Sequence, residues 1–261
     1  MDAKPGWPRR GKIFPWLLLA TVLGAGAGEP LRIASDATFP PFHFIGDASA
    51  PTGYDLELAR LVAKRAGFEP VVVVRPYDDL LPGLQSGAHD LVAATTGVTA
   101  EREKLYLFTR PYFETCQAAL VRVGPNEPGR VADLRGRRVG AAGSGTSARA
   151  LRGIPGVIPV ALGKGQAGVP SLEQGEIDAL LVDEFGAVAS ARASNGRLRV
   201  LAEPVALEHY AFVLPLQRND LKRSLDRALE ELEREGRVQA LRVQYGVSRG
   251  GDWPVKLGPT P

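Results

Sequence analysis

The chain has 261 residues, of which 44% are hydrophobic, and 32 Lys and Arg against 29 Asp and Glu give it a formal charge of +3. The length suits one large domain or two modest ones, and the apolar content excludes global disorder. A single cysteine, Cys116, excludes an internal disulfide framework and a cysteine-rich zinc site, and we expect it to be buried. The three histidines have no metal-ligand spacing, so we expect neither a metal nor a cofactor.

The first 27 residues have the layout of a secretory signal peptide. Their basic start contains Lys4, Arg9, Arg10 and Lys12. An apolar run, Ile13–Leu23, follows, and Ala25 and Ala27 form an A-x-A cleavage pair. The apolar run is too short for a permanent membrane span, for which about 20 residues are needed. We therefore expect an exported protein cleaved after Ala27; an uncleaved N-terminal anchor is the alternative.

The rest of the chain alternates apolar runs with amphipathic stretches, which is typical of an α/β fold. The runs predict strands at Leu31–Ser35, Val71–Val74, Asp90–Ala94, Gln117–Val123, Arg137–Ala142, Ile177–Val182 and Tyr210–Leu214. We expect Val71–Val74 to be a buried strand. Helical spacing predicts a helix capped by Asp55 and ended by Gly67, one closed by Gly87, and a long one over Leu221–Leu232.

A loop rich in Gly and Pro, Gly124–Gly129, separates two sets of such elements. The economical interpretation is two α/β lobes with the second inserted into the first. Lobe 1 would comprise residues 28–121 and 210–246, lobe 2 residues 122–209, and residues 247–261 would form a loose tail.

Polar residues follow several predicted strands. Asp36 and Thr95-Thr96 do so in lobe 1, and the Gly143–Ser147 turn and Asp183 in lobe 2. Because open α/β sheets bind ligands outside the carboxyl ends of their strands, these residues predict a site between the lobes. Each has a purely structural alternative: Asp36 could cap a loop, and Thr95 could satisfy a backbone group.

Arg102 lies just beyond the second of these strand ends. A guanidinium holds a carboxylate through two parallel hydrogen bonds. We expect a helix to start in the Gly143–Ser147 turn, with Thr146 or Ser147 as its N-cap, so its backbone N–H groups could receive the same anion. Asp183 could then pair with a ligand ammonium. The alternative is that Arg102 is an ordinary surface charge at a solvated helix start.

These residues fall in segments that resemble the amino-acid-binding proteins of ABC importers, solute-binding protein family 3. The segments are Leu31–Phe42, Gly53–Ala59, Asp90–Lys104, Phe108–Tyr112 and Gly175–Asp183. The resemblance runs from about Leu31 to Gly246 in the same order. It implies a periplasmic-binding-protein-like fold of two α/β lobes, joined by two hinge strands and closing over one ligand.

The resemblance also implies a ligand-binding role for individual positions. Arg102 would hold the α-carboxylate, and Asp183 and the carbonyl of Thr95 the α-ammonium. The positions expected to assist with the carboxylate or to meet the ligand side chain are Asp36, Phe39, Tyr77, Thr96, Gly97, Thr146 and Ser147. One departure stands out, because the family usually has Ser or Thr where this chain has Gly97, which leaves only an N–H for the carboxylate.

We therefore expect an extracytoplasmic, monomeric protein that captures a polar or basic amino acid and delivers it to a membrane permease. Four basic residues against Asp2 place the whole formal charge within residues 1–27, so nucleic acid is not expected as a partner. The rival hypothesis is an enzyme like the cyclohexadienyl dehydratases, whose acid lies three residues after the position of Asp183. That position is Gly186 in this chain; Glu184 is the nearest acid, and we expect no catalytic residue.

Overall fold

A computed structural model of the chain describes residues 28–142, 145–163 and 168–247. The predicted signal peptide with its cleavage site, residues 143–144 of the predicted turn and the tail from residue 248 lie outside the described residues. No helix in these ranges combines the length and the apolar character that a membrane span needs.

The described ranges hold strands and helices in the alternation that the sequence predicts. The strands are β1 (Pro30–Ser35), β2 (Thr38–Phe39), β3 (His43–Ile45), β4 (Pro51–Thr52), β5 (Glu69–Val74), β6 (Leu91–Val92), β7 (Tyr106–Phe108), β8 (Phe113–Arg122), β9 (Arg138–Ala142), β10 (Ile158–Leu162), β11 (Ala179–Asp183), β12 (Leu198–Val200), β13 (Ala206–Tyr210) and β14 (Val213–Pro215). The helices are α1 (Tyr54–Arg65), α2 (Tyr77–Ser86), α3 (Ala100–Glu103), α4 (Thr146–Arg152), α5 (Gly168–Glu173), α6 (Glu184–Ala193), α7 (Asn219–Arg234) and α8 (Arg237–Gln244).

Two mixed sheets form the two lobes. The first has the strand order β5-β1-β6-β14-β7, and the second the order β10-β9-β11-β8-β12 with β13 also paired to β8. In each sheet a central strand, β1 or β9, runs parallel to both of its neighbours. A small sheet of β2, β3 and β4 follows β1. The carboxyl ends of the parallel strands in both lobes carry the polar residues described below.

The chain crosses between the sheets twice, after β7 and after β13, and the two crossings run side by side. Thr109 N donates to Phe212 O at 3.0 Å, and Tyr112 N donates to Tyr210 O at 3.0 Å. The first crossing therefore lies at residues 109–112, ahead of the sequence-based boundary at 121. The reason is that the whole of β8 pairs antiparallel with strands of the second sheet. The loop at Gly124–Gly129 follows β8 inside lobe 2.

Apolar side chains cover both faces of each sheet. The largest cluster packs α1, α7 and α8 against the first sheet, and α7 buries Leu221, Leu225, Leu229 and Leu232 as its sequence periodicity predicts. A second cluster covers the opposite face, with Leu80 and Leu84 of α2. The second sheet is likewise covered by two clusters. Each lobe thus has a core of its own, and the largest cluster also includes Phe185 and Val188 of α6 in lobe 2.

An arginine–aspartate arrangement, which we call the clamp, occurs once in each lobe. Arg32 of β1 donates from its backbone N and Nε to Asp90 Oδ2, both at 2.9 Å, and from Nη2 to Oδ1 at 2.8 Å. Arg138 of β9 makes the same three contacts with Asp178, at 2.8, 3.2 and 2.8 Å. In both lobes the aspartate follows a left-handed glycine by three residues, Gly87 or Gly175. The clamp ties the start of one parallel strand to the start of the next.

Several local expectations are wrong. The strand at Val71–Val74 is an edge strand, so Val71 and Val74 are 41% and 44% exposed rather than buried. The predicted Tyr210–Leu214 strand is split, because the chain changes sheets between β13 and β14. Helix α1 has Gly53 as its N-cap, and Asp55 lies inside its first turn.

Candidate ligand-binding site

The polar strand ends of the two lobes meet where aromatic side chains close the space between the sheets. Phe42 of lobe 1 packs edge-on against Phe185 of α6, with ring centroids 4.8 Å apart. Phe39 stacks on Phe42 at 5.7 Å, and its ring lies 3.8 Å from where a Cβ on Gly186 would stand. The predicted aromatic residue Phe39 therefore bridges the two lobes at one end of the site.

Asp36 lies in a chain of polar contacts after β1. Its Oδ1 is 3.2 Å from His43 Nδ1, and its Oδ2 accepts a hydrogen bond from the Thr38 hydroxyl. His43 Nε2 is in turn 3.3 Å from Thr95 Oγ1. Burial opposes ionisation of Asp36, but the interactions with His43 and Thr38 outweigh it and lower the pKa of the carboxyl. Asp36 is consequently held as a charged carboxylate, and His43 connects it to Thr95 after β6.

Asp55 positions Thr95 and was missed by sequence reasoning, which made it a helix cap. It is fully buried, and its Oδ2 accepts a hydrogen bond from Thr95 N at 2.6 Å. Thr95 has φ of +44°, a left-handed conformation that is strained for a β-branched residue. Burial raises the pKa of Asp55 to about 6. The available signal was an acid on the same helical face as the buried Leu58 and Val62.

The segment after β6 is bound to the second crossing. Ala211 N donates to Thr96 O at 3.2 Å, Val98 N donates to His209 O at 2.9 Å, and Gly97 forms a bridge with Tyr210. Thr96 is buried. The predicted residues 95–97 therefore form an edge that the two lobes share, rather than a loop belonging to lobe 1 alone.

Arg102 is held against this edge. Thr99 caps α3 by accepting from Arg102 N at 3.2 Å, and Arg102 Nη1 donates to Gly97 O at 2.8 Å. Arg102 lines a cavity of about 370 Å³ together with Tyr77 and Thr96. The Tyr77 side chain is 53% exposed at the start of α2. The 370 Å³ cavity is lined by lobe 1 alone, but Arg102 also lines a second cavity, of about 260 Å³, together with residues of lobe 2.

Helix α4 lines the 260 Å³ cavity from lobe 2 through Thr146 and Arg149. The helix begins at Thr146 with Gly145 as N-cap, so neither Thr146 nor Ser147 caps it as the sequence predicts. Instead, Ser147 Oγ donates to Gln117 Oε1 at 2.6 Å, and Gln117 Nε2 is 3.3 Å from Thr146 Oγ1. Arg149 of this helix also forms an ion pair with Glu101 of lobe 1 at 2.8 Å.

Glu208 is a further residue that the sequence did not reveal. It is 7% exposed, and its Oε2 accepts from Gln117 Nε2 at 2.5 Å. Burial raises the pKa of Glu208, although hydrogen bonding to Gln117 and Thr146 and the charge of Arg102 oppose the shift. Gln117 and Glu208 are 91 positions apart in the sequence. The pairing of β8 with β13 brings them together.

Asp183 ends β11 and caps α6. Its Oδ1 accepts from Phe185 N at 2.8 Å, and its Oδ2 accepts from Thr115 Oγ1 at 3.1 Å and from the Tyr210 hydroxyl. Burial raises the pKa of Asp183 to about 7, despite the hydrogen bond from Tyr210. Cys116, between Thr115 and Gln117, is buried as expected, and its Sγ donates to Glu184 Oε2 at 3.0 Å.

The comparison with known families matches residues 31–248 to the family described as bacterial extracellular solute-binding proteins, family 3. The chain belongs to this family. The family 3 relatives include two proteins of Escherichia coli strain K12. The L-cystine-binding protein TcyJ is 31% identical over 218 residues, which are 82% of each chain. The ABC transporter arginine-binding protein 1 is 28% identical over 235 residues, 88% of this chain and 96% of the relative.

Solved structures of family-3-like proteins share the fold. An ancestral arginine-binding protein bound to arginine is 28% identical, with a TM-score of 0.73 over 84% of this chain and 99% of that chain. The ancestral amino acid-binding protein AncCDT-1, a precursor of cyclohexadienyl dehydratase, is 25% identical. Its TM-score is 0.71, over 83% of this chain and 94% of that chain. The expected two-lobed fold is confirmed.

Proposed function

We propose that this family 3 protein captures a polar or basic amino acid between its lobes and delivers it to the permease of an ABC importer. The observation that carries the proposal is that each lobe has a group of opposite charge close after a strand end: the Arg102 guanidinium in α3, after β6, and the Asp183 carboxyl at the end of β11. A zwitterion needs one group of each sign. The names of the two relatives, which bind cystine and arginine, support the same ligand class.

The remaining site residues have roles that follow from their positions. Thr95 would offer its carbonyl to the ammonium, while Thr146 and Ser147 assist the carboxylate from lobe 2. The residues proposed to bind the rest of the ligand are Asp36, Phe39, Tyr77, Thr96 and Gly97. Asp36 favours a ligand side chain that donates hydrogen bonds or carries positive charge, because the carboxyl is kept ionised by its neighbours.

Closure of the lobes links capture to delivery in this proposal. The paired crossings at residues 109–112 and 211–212 are the only two covalent connections between the sheets in the described part of the chain. A ligand that contacts both lobes stabilises the closed arrangement, which a permease can distinguish from the open one. The protein would act as a monomer in the periplasm, after export by the predicted signal peptide.

The dehydratase alternative has less support from the site. The position three residues after Asp183 is Gly186, which has no side chain and faces the Phe39 ring. Glu184 is fully buried, lines none of the described cavities, and accepts a hydrogen bond from Cys116. Incubation of the purified protein with prephenate or arogenate, followed by detection of the aromatic product, tests this alternative directly.

Calorimetric titration with the twenty standard L-amino acids and L-cystine tests the proposed function. At least one should bind to the intact protein, and Arg102→Ala should weaken its binding by about 100-fold or more, since two charge-assisted hydrogen bonds are lost. Arg102→Lys should recover only part of the loss, because an ammonium cannot make the paired contact. Arg130→Ala is the matched control, as Arg130 is an exposed arginine of lobe 2. Unchanged affinity in Arg102→Ala would rule out its assigned role.

A further inference from the structure

The Glu208 carboxyl lies directly against Gly97, where a side chain of residue 97 would otherwise be. A Cβ on Gly97 would lie 1.9 Å from Glu208 Oε1 and 3.0 Å from Thr146 Cγ2. A side chain at position 97 would therefore have to displace the carboxyl of Glu208, which fills that volume. The carboxyl also lies near Arg102 and Thr146, since the charge of Arg102 and a hydrogen bond to Thr146 both act on its ionisation.

The register of two strands fixes the Glu208 carboxyl at this point. Glu208 pairs with Thr115 in the β8–β13 ladder, and Tyr210 pairs with Phe113. Glu208 and Tyr210 are two positions apart on β13, so their side chains share a face of the sheet. Tyr210 donates to Asp183 and Gln117 donates to Glu208. The carboxyl groups of Asp183 and Glu208 therefore lie along the same face of the sheet. Glu208 also lines a cavity of about 440 Å³ together with Gln117 and Thr146.

A ligand carboxylate held by Arg102 and Thr146, as proposed above, would lie next to the Glu208 carboxyl, because Thr146 and Glu208 line one cavity and the charge of Arg102 acts on Glu208. Two carboxylates in contact cannot both stay ionised, so one proton is taken up and shared between them. We propose that Glu208 is a ligand-contacting residue: it takes a proton from solvent as the amino acid enters and donates the resulting O–H to a carboxylate oxygen of the ligand. This inference rests on the proposed function.

Other charged groups around Glu208 also affect the number of protons that the protein takes up or releases when the ligand binds. Arg102 on α3 and Arg149 on α4 are cations on either side, and His209 is the next residue on β13. Asp183 acts in the opposite sense, because a ligand ammonium favours its ionised form and so releases a proton. The contribution of Glu208 is therefore the difference between the intact protein and a variant that changes Glu208 alone.

The experiment is calorimetric titration at pH 8 with L-arginine, or with whichever amino acid of the panel binds more tightly, in phosphate and in Tris. The dependence of the heat on the buffer gives the number of protons exchanged. The intact protein should take up about one proton more than Glu208→Gln, because an amide donates to the ligand without titrating. Its affinity should also fall more steeply between pH 6 and pH 8 than that of Glu208→Gln, by up to about tenfold per pH unit.

A second pair of variants keeps the test independent of how well Glu208→Gln folds. Gly97→Ser with Glu208→Ala places a hydroxyl where the carboxyl was, and should bind without the extra proton. Gly97→Ser alone should bind poorly because its Cβ meets Glu208. Equal proton counts in the intact protein and Glu208→Gln would overturn the inference. So would tighter binding of agmatine, which is arginine without its carboxyl group, since Glu208 would then serve a cation. Failure of every amino acid to bind would overturn the proposed function as well.

Discussion

Single carboxyl groups in the cleft differ sharply in how readily they ionise. Burial raises the pKa of Asp183 to about 7 and that of Asp55 to about 6, whereas interactions with His43 and Thr38 lower the pKa of Asp36. A carboxyl with a raised pKa binds its proton more tightly in the folded than in the unfolded chain. The folded state therefore loses stability as pH rises from about 4, the unfolded value, to about 7.

Asp183→Asn should consequently be more stable than the intact protein at pH 8. The substitution removes a buried charge, so we expect the free energy of unfolding at pH 8 to rise by about 1 to 3 kcal/mol. This gain should shrink as the pH is lowered to 5, because Asp183 is then protonated in the folded protein. The same substitution should weaken amino-acid binding, because the ammonium loses its counter-charge. Thermal unfolding at both pH values, with binding measured in parallel, tests this pair of effects. A loss of stability of the same size at both pH values would show that the hydrogen bonds of Asp183 outweigh its burial.

Residue identity in the site could be predicted only in part from the sequence. Asp36, Arg102 and Asp183 stand directly after or near apolar runs, where strand ends can be recognised. Gln117 and Glu208 could not be found in this way, since the first lies inside an apolar run and the second in a segment with no distinct pattern. Their relevance depends on a register between β8 and β13 that no local signal encodes.

Strands and helices were predictable where a period or a breaker marks them. The αL glycine that closes α2 and the leucine repeat of α7 are both found as expected. The edge position of β5 and the change of sheet after Tyr210 were not predictable, because an apolar run looks the same in an edge strand, a central strand and a crossing. The clamps were also missed, although both have the spacing Gly-x-x-Asp: Gly87 to Asp90 and Gly175 to Asp178.

The clamps should contribute to stability but not to binding. Asp178→Ala leaves the N–H groups of Arg138 without their acceptor, and we expect a loss of about 2 kcal/mol in the free energy of unfolding by urea at pH 7. Because Arg138 lowers the pKa of Asp178, the difference should disappear as the pH falls below about 4. Glu230→Ala removes an exposed pair with Arg110 and should cost much less. Altered ligand affinity in Asp178→Ala would contradict the separation of the clamp from the site.

At the scale of the whole molecule, the lobes touch through aromatic packing, through the shared edge at residues 95–97 and through an exposed ion pair described above. Phe42 and Phe185 bury apolar surface between the lobes, while Glu101 and Arg149 link α3 to α4 across the cleft. The two-lobed architecture was predictable from the order of elements and from the family resemblance. The position of the first crossing was not, because β8 belongs by sequence proximity to lobe 1 and by pairing to lobe 2.

The Glu101–Arg149 pair should bias the lobes towards the closed arrangement only slightly. Both side chains are exposed, at 72% and 46%, so each single alanine variant should weaken ligand binding by no more than about fivefold, and less at high salt. The charge-swapped variant Glu101→Arg with Arg149→Glu should recover most of the affinity. Titration of the four proteins in a double-mutant cycle measures the coupling, and small-angle scattering without ligand measures closure. A loss well beyond tenfold in Arg149→Ala alone would instead place Arg149 in direct contact with the ligand.

The two clamps lie at the amino ends of the parallel strands, whereas Asp36 and Asp183 lie at the carboxyl ends of β1 and β11. Each sheet therefore keeps these contacts on the edge opposite to the one that carries the candidate site residues. Substitutions of Asp36 or Asp183 leave the arginine–aspartate contacts of the clamps in place. We infer that a scaffold divided in this way can acquire a different ligand preference while its parallel strands stay anchored to one another.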